Sequence, residues 1–267
     1  MAVAARLLDP ARLEALAARE GDRYRTAQPF PHVVLDDFVD LEVVRDLVAE
    51  YPRDREEWDR YLDGGNSDKL AITDEARLGP VARRLIAELN GAATIRFLEE
   101  LTGIGGLVGD PHLLGGGLHQ LDPGGFLRIH ADFNQHPHLR LDRRLNLLLY
   151  LNEGWRDDWG GQLELWSADM AERVQRIAPV AGRVVVFSTT STSYHGNPEP
   201  VACPPGGARR SLALYYYTNG RPEEERAGRH TTLYQTPGQA PAGPPAAAGP
   251  ERGRSRAARA ARRLRRR

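Results

Sequence analysis

His130 and Asp132 stand two residues apart in the stretch FLRIHADFN (126–134), where Phe126, Arg128, His130 and Asp132 alternate with Leu127, Ile129 and Ala131. That is the period-two pattern of a half-buried strand. On a strand, residues i and i+2 project from the same face, so an imidazole and a carboxylate are held side by side. Two chemistries suit the pair: a hydrogen-bonded couple that satisfies itself, or two ligands for a metal ion. The remaining histidines are 32, 112, 119, 136, 138, 195 and 230. His195 closes the run VVVFSTTSTSY and precedes the turn GNPEP, which makes it the candidate third ligand. His119 lies in another strand pattern and could face the same cavity, although a lone strand histidine is more often a hydrogen-bonded core residue. His136 and His138 belong to the polar loop NQHPHLRLD.

Two histidines and one carboxylate occupy one face of a metal and leave the other open, an arrangement that suits non-haem Fe(II). A second element extends this chemistry. In ARRSLALYYYT (208–218) the strand period puts Arg209 and Ser211 on one face and Arg210 on the other. A guanidinium beside a hydroxyl grips a carboxylate. A keto dicarboxylate could then chelate the metal at one end and pair with Arg209 at the other. The plainer alternative is that both arginines are solvated or balance acidic neighbours.

These residues need elements to hold them. The pattern predicts a helix over 11–27 interrupted at Gly21, a strand over 32–38, and a helix over 41–50 with Asp40 as its N-cap. It predicts a polar loop at 64–70 and helical structure over 75–102 with a break near Asn90-Gly91. From residue 117 strands take over: 117–121, 126–132, 143–151, 161–166, 173–178, 182–188, 192–195 and 209–217. Short strands separated by turn signals indicate a sandwich or barrel, with the helical first half packed on it. Loops 60–72 and 133–141 are candidates to cover a cavity or are ordinary connections. Trp155, Trp159 and Trp166 are core or rim.

The totals agree with a globular chain. Its 267 residues suffice for one large domain or two small ones, and 41% hydrophobic with 27% charged residues is ordinary for such a chain. The single cysteine, Cys203, excludes a disulfide framework and a cysteine metal site, and fits a reducing, cytoplasmic compartment. The N-terminus is too broken by charge for a signal peptide or a membrane span. Residues 251–267 hold nine Arg and one Glu, so the net charge of zero hides a basic tail of +8 against −8 elsewhere. That tail follows the low-complexity stretch TPGQAPAGPPAAAGP (236–250). Nucleic acid or an anionic surface is a possible partner only through this tail, which is otherwise a solvated, disordered segment.

In order and spacing, GGFLRIHAD, RRLNLLLYLNEGW, WGGQLELW, SYHGNPEPV and RRSLALYYYT resemble the Fe(II)/2-oxoglutarate-dependent dioxygenases, in their prolyl 4-hydroxylase-like branch, over roughly 115–218. The resemblance implies an α+β fold with a double-stranded β-helix core (a cupin-like jelly roll) and helices on one sheet. It implies a single domain over 1–235, helical over 1–110 and jelly roll over 111–220, followed by the linker and tail. It also implies Fe(II) ligands His130, Asp132 and His195, and 2-oxoglutarate contacts from Arg209, Ser211, Tyr150 and Asn146. Dioxygen would be the oxidant and ascorbate an accessory reductant. The expected reaction hydroxylates a C–H bond, for which a prolyl residue is the leading substrate. A peptide, a free amino acid or a small molecule would be the partner. His195 and Arg209 are fourteen residues apart where relatives have about ten, so CPPGGA must loop out, and Arg210 competes with Arg209. The alternatives are a cupin-like isomerase or hydrolase that ignores 2-oxoglutarate, and a binding module whose arginine tail does the work.

Overall fold

The computed structural model describes residues 6–61 and 69–241. Helix α1 (Pro10–Thr26) begins where Asp9 accepts a hydrogen bond from the Ala11 amide and Pro10 fills the first turn. It runs through Gly21 without a break. Gly21 lies on the face packed against α4 (Ala92–Thr102), and burial there outweighs the roughly 1 kcal/mol intrinsic cost of a helical glycine. Helix α2 (Leu41–Ala49) follows Asp40, and α3 (Pro80–Leu89) is separated from α4 at Asn90-Gly91, as the pattern predicts.

Thirteen strands are present among the described residues. They are β1 (His32–Leu35), β2 (Asp59–Tyr61), β3 (Lys69–Ile72), β4 (Val108–Gly109), β5 (Gly117–Leu121), β6 (Leu127–Ala131) and β7 (Asp142–Tyr150), then β8 (Leu163–Trp166), β9 (Arg173–Ile177), β10 (Val184–Ser188), β11 (His195–Asn197), β12 (Arg209–Thr218) and β13 (Leu233–Tyr234). The larger sheet runs β1-β10-β7-β12-β5-β3-β2, with β4 added beside β12, and the smaller runs β13-β6-β11-β8-β9. The sheets face each other as a jelly roll, with the helices on the outer face of the larger one. Leu145, Leu147 and Leu149 of β7 join Leu212 and Leu214 of β12 in one cluster with Leu47, Leu85 and Phe97 of the helices. The alternate residue Tyr150 points inward with Val185 and Phe187, to meet Leu163, Leu165 and Ile177 of the smaller sheet. Burial on both faces explains why RLNLLLYL reads as a nearly continuous apolar run.

The differences from the sequence pattern are local. The strand expected over 192–195 begins only at His195. Residues 190–193 are held in a turn by their own hydroxyls, Thr190 N donating to Ser193 Oγ at 2.9 Å and Ser193 Oγ to Thr190 O at 3.0 Å, a known competitor of sheet pairing. The ends of the 60–72 segment, expected as loop, are strands β2 and β3, and residues 62–68 lie outside the described residues. Low complexity starts at 236, yet Gly238 N still donates to Met170 O at 3.2 Å. The arginine-rich tail lies outside the described residues. No helix among the described residues is long and apolar enough to cross a membrane.

A strap formed by residues 228–235 crosses the open edge of the smaller sheet. Leu233 and Tyr234 pair with Ala131 and His130, and Gln235 N donates to Ile129 O at 2.8 Å. Asn134 holds the strap on both sides of its amide, Nδ2 donating to Gly228 O at 3.0 Å and Oδ1 accepting from His230 N at 3.0 Å. His230 also bonds Ser191 Oγ at 2.7 Å. Replacing Asn134 by alanine removes two hydrogen bonds, each worth about 1 kcal/mol. We expect about 2 kcal/mol lost in urea unfolding and faster proteolysis within 228–235; unchanged protection of that segment would show the strap is held by other means.

Candidate active site

His130 and His195 are direct cross-strand partners on β6 and β11, with ring centroids 4.6 Å apart. Each ring is oriented the same way. His130 Nδ1 lies 2.8 Å from Arg128 O and His195 Nδ1 lies 2.9 Å from Ser193 O, so each Nδ1 carries the proton and donates to a carbonyl two residues earlier. Both Nε2 atoms then present lone pairs inward. Asp132, just past the end of β6, meets them: Oδ1 is 3.6 Å from His130 Nε2 and Oδ2 is 3.4 Å from His195 Nε2. Among the described residues this is the one group of three possible ligands whose donor atoms all lie within 4.8 Å of one another. Burial pushes the His195 imidazole down to about 4, against the pull of Asp132, so the ring is neutral and its lone pair available at neutral pH. Burial opposes the Asp132 charge, but Arg143, with His195 and His130, holds the carboxyl well below the usual carboxylate range. Two lone pairs and a carboxylate aimed at one point repel unless a cation lies between them. The set fits a divalent metal, with backbone carbonyls as the partners that orient the imidazoles.

The cavity in front of these atoms has a volume of about 270 Å³. Its far wall is the inner face of the larger sheet, where the register aligns His119, Ser211 and Tyr150 in one row across β5, β12 and β7. Arg209 lies next to that row. Its Nε donates to Gly161 O at 2.6 Å, its Nη2 reaches the Tyr150 hydroxyl at 3.5 Å, and its guanidinium sits 5.1 Å from the Tyr150 ring centroid. Gly161, at φ +68°, permits this approach: a Cβ there would lie 3.0 Å from Arg209 Cδ. Burial lowers the pKa of Arg209, with Tyr150 offsetting it. Arg210 points the other way, donating to Gln120 Oε1 at 3.0 Å and lying 5.8 Å from the Tyr51 ring. The two arginines therefore divide as the strand period predicts, Arg209 into the cavity and Arg210 onto an outer cleft shared with half-buried Trp155 and Trp159.

Residues 116–217 match the model of the family described as the 2OG-Fe(II) oxygenase superfamily. This core is similar to the 2OG-Fe(II) oxygenase superfamily. Solved structures of similar fold include a prolyl-4-hydroxylase from Pseudomonas putida, at 22% identity and a TM-score of 0.52, covering 79% of this chain and 99% of that one. A Trichoplax adhaerens prolyl hydroxylase in complex with a hypoxia inducible factor oxygen degradation domain peptide has 18% identity and a TM-score of 0.56, covering 81% and 93%. HygX from Streptomyces hygroscopicus, with nickel, 2-oxoglutarate and hygromycin B bound, has 14% identity and a TM-score of 0.52, covering 80% and 96%. At these identities the likeness is one of fold. No curated protein sequence matches the chain.

Of the residues expected to bind 2-oxoglutarate, Tyr150, Ser211 and Arg209 line the cavity together. Asn146 reaches it too, but its amide is engaged by protein groups: Nδ2 donates to Asp132 Oδ2 at 2.8 Å and Oδ1 accepts from Arg143 at 2.6 and 3.0 Å. The sequence reading missed Arg143, buried beside Asp132, and Thr232 and Tyr234, which the strap brings to the cavity wall. Arg143 carried no signal: the strand period groups it with the outward Leu145 and Leu147, and the register shift against Tyr216 and Tyr217 of β12 breaks that period between Arg143 and Leu145. Thr232 and Tyr234 carried none. His136 is fully buried in the 133–141 loop, its Nδ1 accepting from the amides of His138 and Leu139, and it serves that loop.

His119 lines the cavity, and burial holds it well below its ordinary value of 6.5. Because the folded state resists protonation, its contribution to stability is fully present above pH 6.5 and is lost as the pH falls below that value. His119→Gln keeps an N–H for Gly116 O, which His119 Nε2 meets at 3.1 Å. In metal-free protein the variant should flatten the acid slope of unfolding free energy by up to about 1.4 kcal/mol per pH unit. An unchanged slope would mean that His119 protonates freely in the fold.

Proposed function

We propose that the protein is an Fe(II)- and 2-oxoglutarate-dependent hydroxylase whose substrate is a prolyl residue in a peptide. One observation carries the reading: a convergent His130-Asp132-His195 set faces, across a single cavity, a buried Arg209 whose partners are the neutral Gly161 carbonyl and Tyr150 hydroxyl. A buried guanidinium with neutral partners is costly, and a carboxylate from a bound dianion supplies the missing charge. His130, Asp132 and His195 would hold the iron. Arg209, with the Tyr150 and Ser211 hydroxyls, would bind the distal carboxylate of 2-oxoglutarate and so direct its keto-acid end toward the triad. Leu148 and Leu163 line the intervening wall and keep water from it. When bound, Fe(II) supplies the oxidising chemistry in which dioxygen gives one oxygen atom to 2-oxoglutarate, forming succinate and CO2, and the other to a substrate C–H bond. The prolyl assignment is supported by the two prolyl hydroxylases of similar fold.

Anaerobic protein mixed with Fe(II) and 2-oxoglutarate should develop a visible charge-transfer band. Asp132→Ala should abolish it through loss of iron. Arg209→Ala should keep iron but weaken 2-oxoglutarate about 30-fold or more, the effect of removing one partner of a buried charged pair, while Arg210→Ala should leave the affinity unchanged. No band with iron bound would return the site to a cupin-like isomerase or hydrolase. Succinate release stimulated by proline-containing peptides, and lost on replacing proline by alanine, is the result expected of a prolyl hydroxylase; stimulation by free amino acids alone would reassign the substrate.

A further inference from the structure

Beside the cavity lies a second hollow of about 320 Å³, between the turn at Leu114-Gly115, the 133–137 segment and the strap. Gly115, Phe133 and Thr232 line both, so the hollow continues the cavity as a groove. Leu114, Phe133 and Pro137 give it apolar walls. Arg229 lines it too, exposed, and among the described residues its side chain makes no hydrogen bond or ion pair. Its backbone, by contrast, is fixed on both sides. Asn134 Nδ2 donates to Gly228 O and Asn134 Oδ1 accepts from His230 N, both at 3.0 Å, and the buried His230 ring bonds Ser191 Oγ. Phe133 is fixed as well, its ring centroid 4.5 Å from the buried Arg143 guanidinium. An exposed arginine is ordinarily a solvated surface charge. This one stands on an anchored segment beside the cavity, and no acidic residue lines the groove. In the cavity the one carboxylate is Asp132, already engaged by Arg143.

We propose, resting on the hydroxylase reading of the cavity, that this groove takes the chain of an extended peptide substrate to one side of the reacting residue, and that Arg229 selects an acidic side chain there. A peptide whose reacting carbon lies at the triad is longer than the cavity and must leave it, and the groove is a continuous path out. Its volume falls at the lower end of the range for ligand sites, room for a short stretch of chain. Apolar walls hold the stem of a side chain without specifying its end. A guanidinium that lacks a counter-ion specifies that end: it pairs with a carboxylate through two parallel N–H donors and repels lysine or arginine at the same position. The anchored backbone holds the charge in place before the peptide arrives, so less ordering is needed on binding.

The test uses full-length protein loaded anaerobically with Fe(II) and 2-oxoglutarate, and fluorescein-labelled peptides of alanine, glycine and serine with one central proline. Asp, Asn or Lys is placed in turn at each other position, and binding is read by fluorescence anisotropy. At one position or two neighbouring ones, Asp should bind about 3- to 10-fold more tightly than Asn, and Lys more weakly than either. The advantage should shrink between 0.1 and 1 M salt, as the screening length falls from about 10 to about 3 Å. In Arg229→Gln, Asp and Asn peptides should bind alike. In Arg229→Glu the order should reverse, Lys over Asp, which a structural role for the arginine would not produce. A preference for Asp at no position, or one that survives Arg229→Glu, would overturn the proposal. So would N-acetylaspartate displacing the Asp peptide with an affinity equal to the peptide's own, since the rest of the chain would then contribute nothing. Asp peptides that bind through Arg229 but release no succinate when oxygen is admitted would leave the groove standing and overturn the hydroxylase reading beneath it.

Discussion

Two imidazole lone pairs and a carboxylate pointed at one small volume form an arrangement that only a cation relieves. The lone pairs are not free to turn away. Each ring is fixed by an Nδ1–H donated to the carbonyl two residues before it, Arg128 for His130 and Ser193 for His195. The rings are brought together by a single β-bridge between those two histidines. The position of the site therefore depends on one register. A slip of one residue between β6 and β11 would send one imidazole to the other face.

The jelly roll supplies what a single sheet cannot, a second wall at a set distance with charge of its own. Nitrogen and oxygen ligands for a cation stand on the smaller sheet, and a guanidinium for an anion stands on the larger. The cavity between them is polarised, and it suits a ligand that coordinates at one end and carries a negative charge at the other. The larger sheet keeps its shape because the helices cover its outer face. Leucines of β7 and β12 alternate outward into them while Asn146, Tyr150, Arg209 and Ser211 alternate inward. The same strands thus carry the scaffold on one face and the chemistry on the other.

The margin of the cavity comes from a segment far along the chain. Residues 228–235 return across β6, and Tyr234 places its ring 5.7 Å from that of His130. Phe133, on the opposite lip, is held by the buried Arg143. The access wall is therefore built from residues whose neighbours in sequence give no sign of it.

What the sequence determined by itself was periodic and local. Alternation along FLRIHADFN puts His130 and Asp132 on one face, and alternation along RRSLALYYY separates Arg209 from Arg210, because a strand repeats every two residues whatever it packs against. The strand expected over 143–151, found at 142–150, was legible from its apolar run, and the helix break at Asn90-Gly91 from its turn residues. Tertiary structure decided the rest. Gly21 stays helical because α4 buries it. Residues 59–61 and 69–72 become strands because β5 offers an edge to pair with. Asn146 is taken up by Asp132 and Arg143 because β7 passes beside the end of β6. Contacts between residues distant in the chain follow from the packing of two sheets, and no spacing along one strand encodes which residue will stand opposite on another.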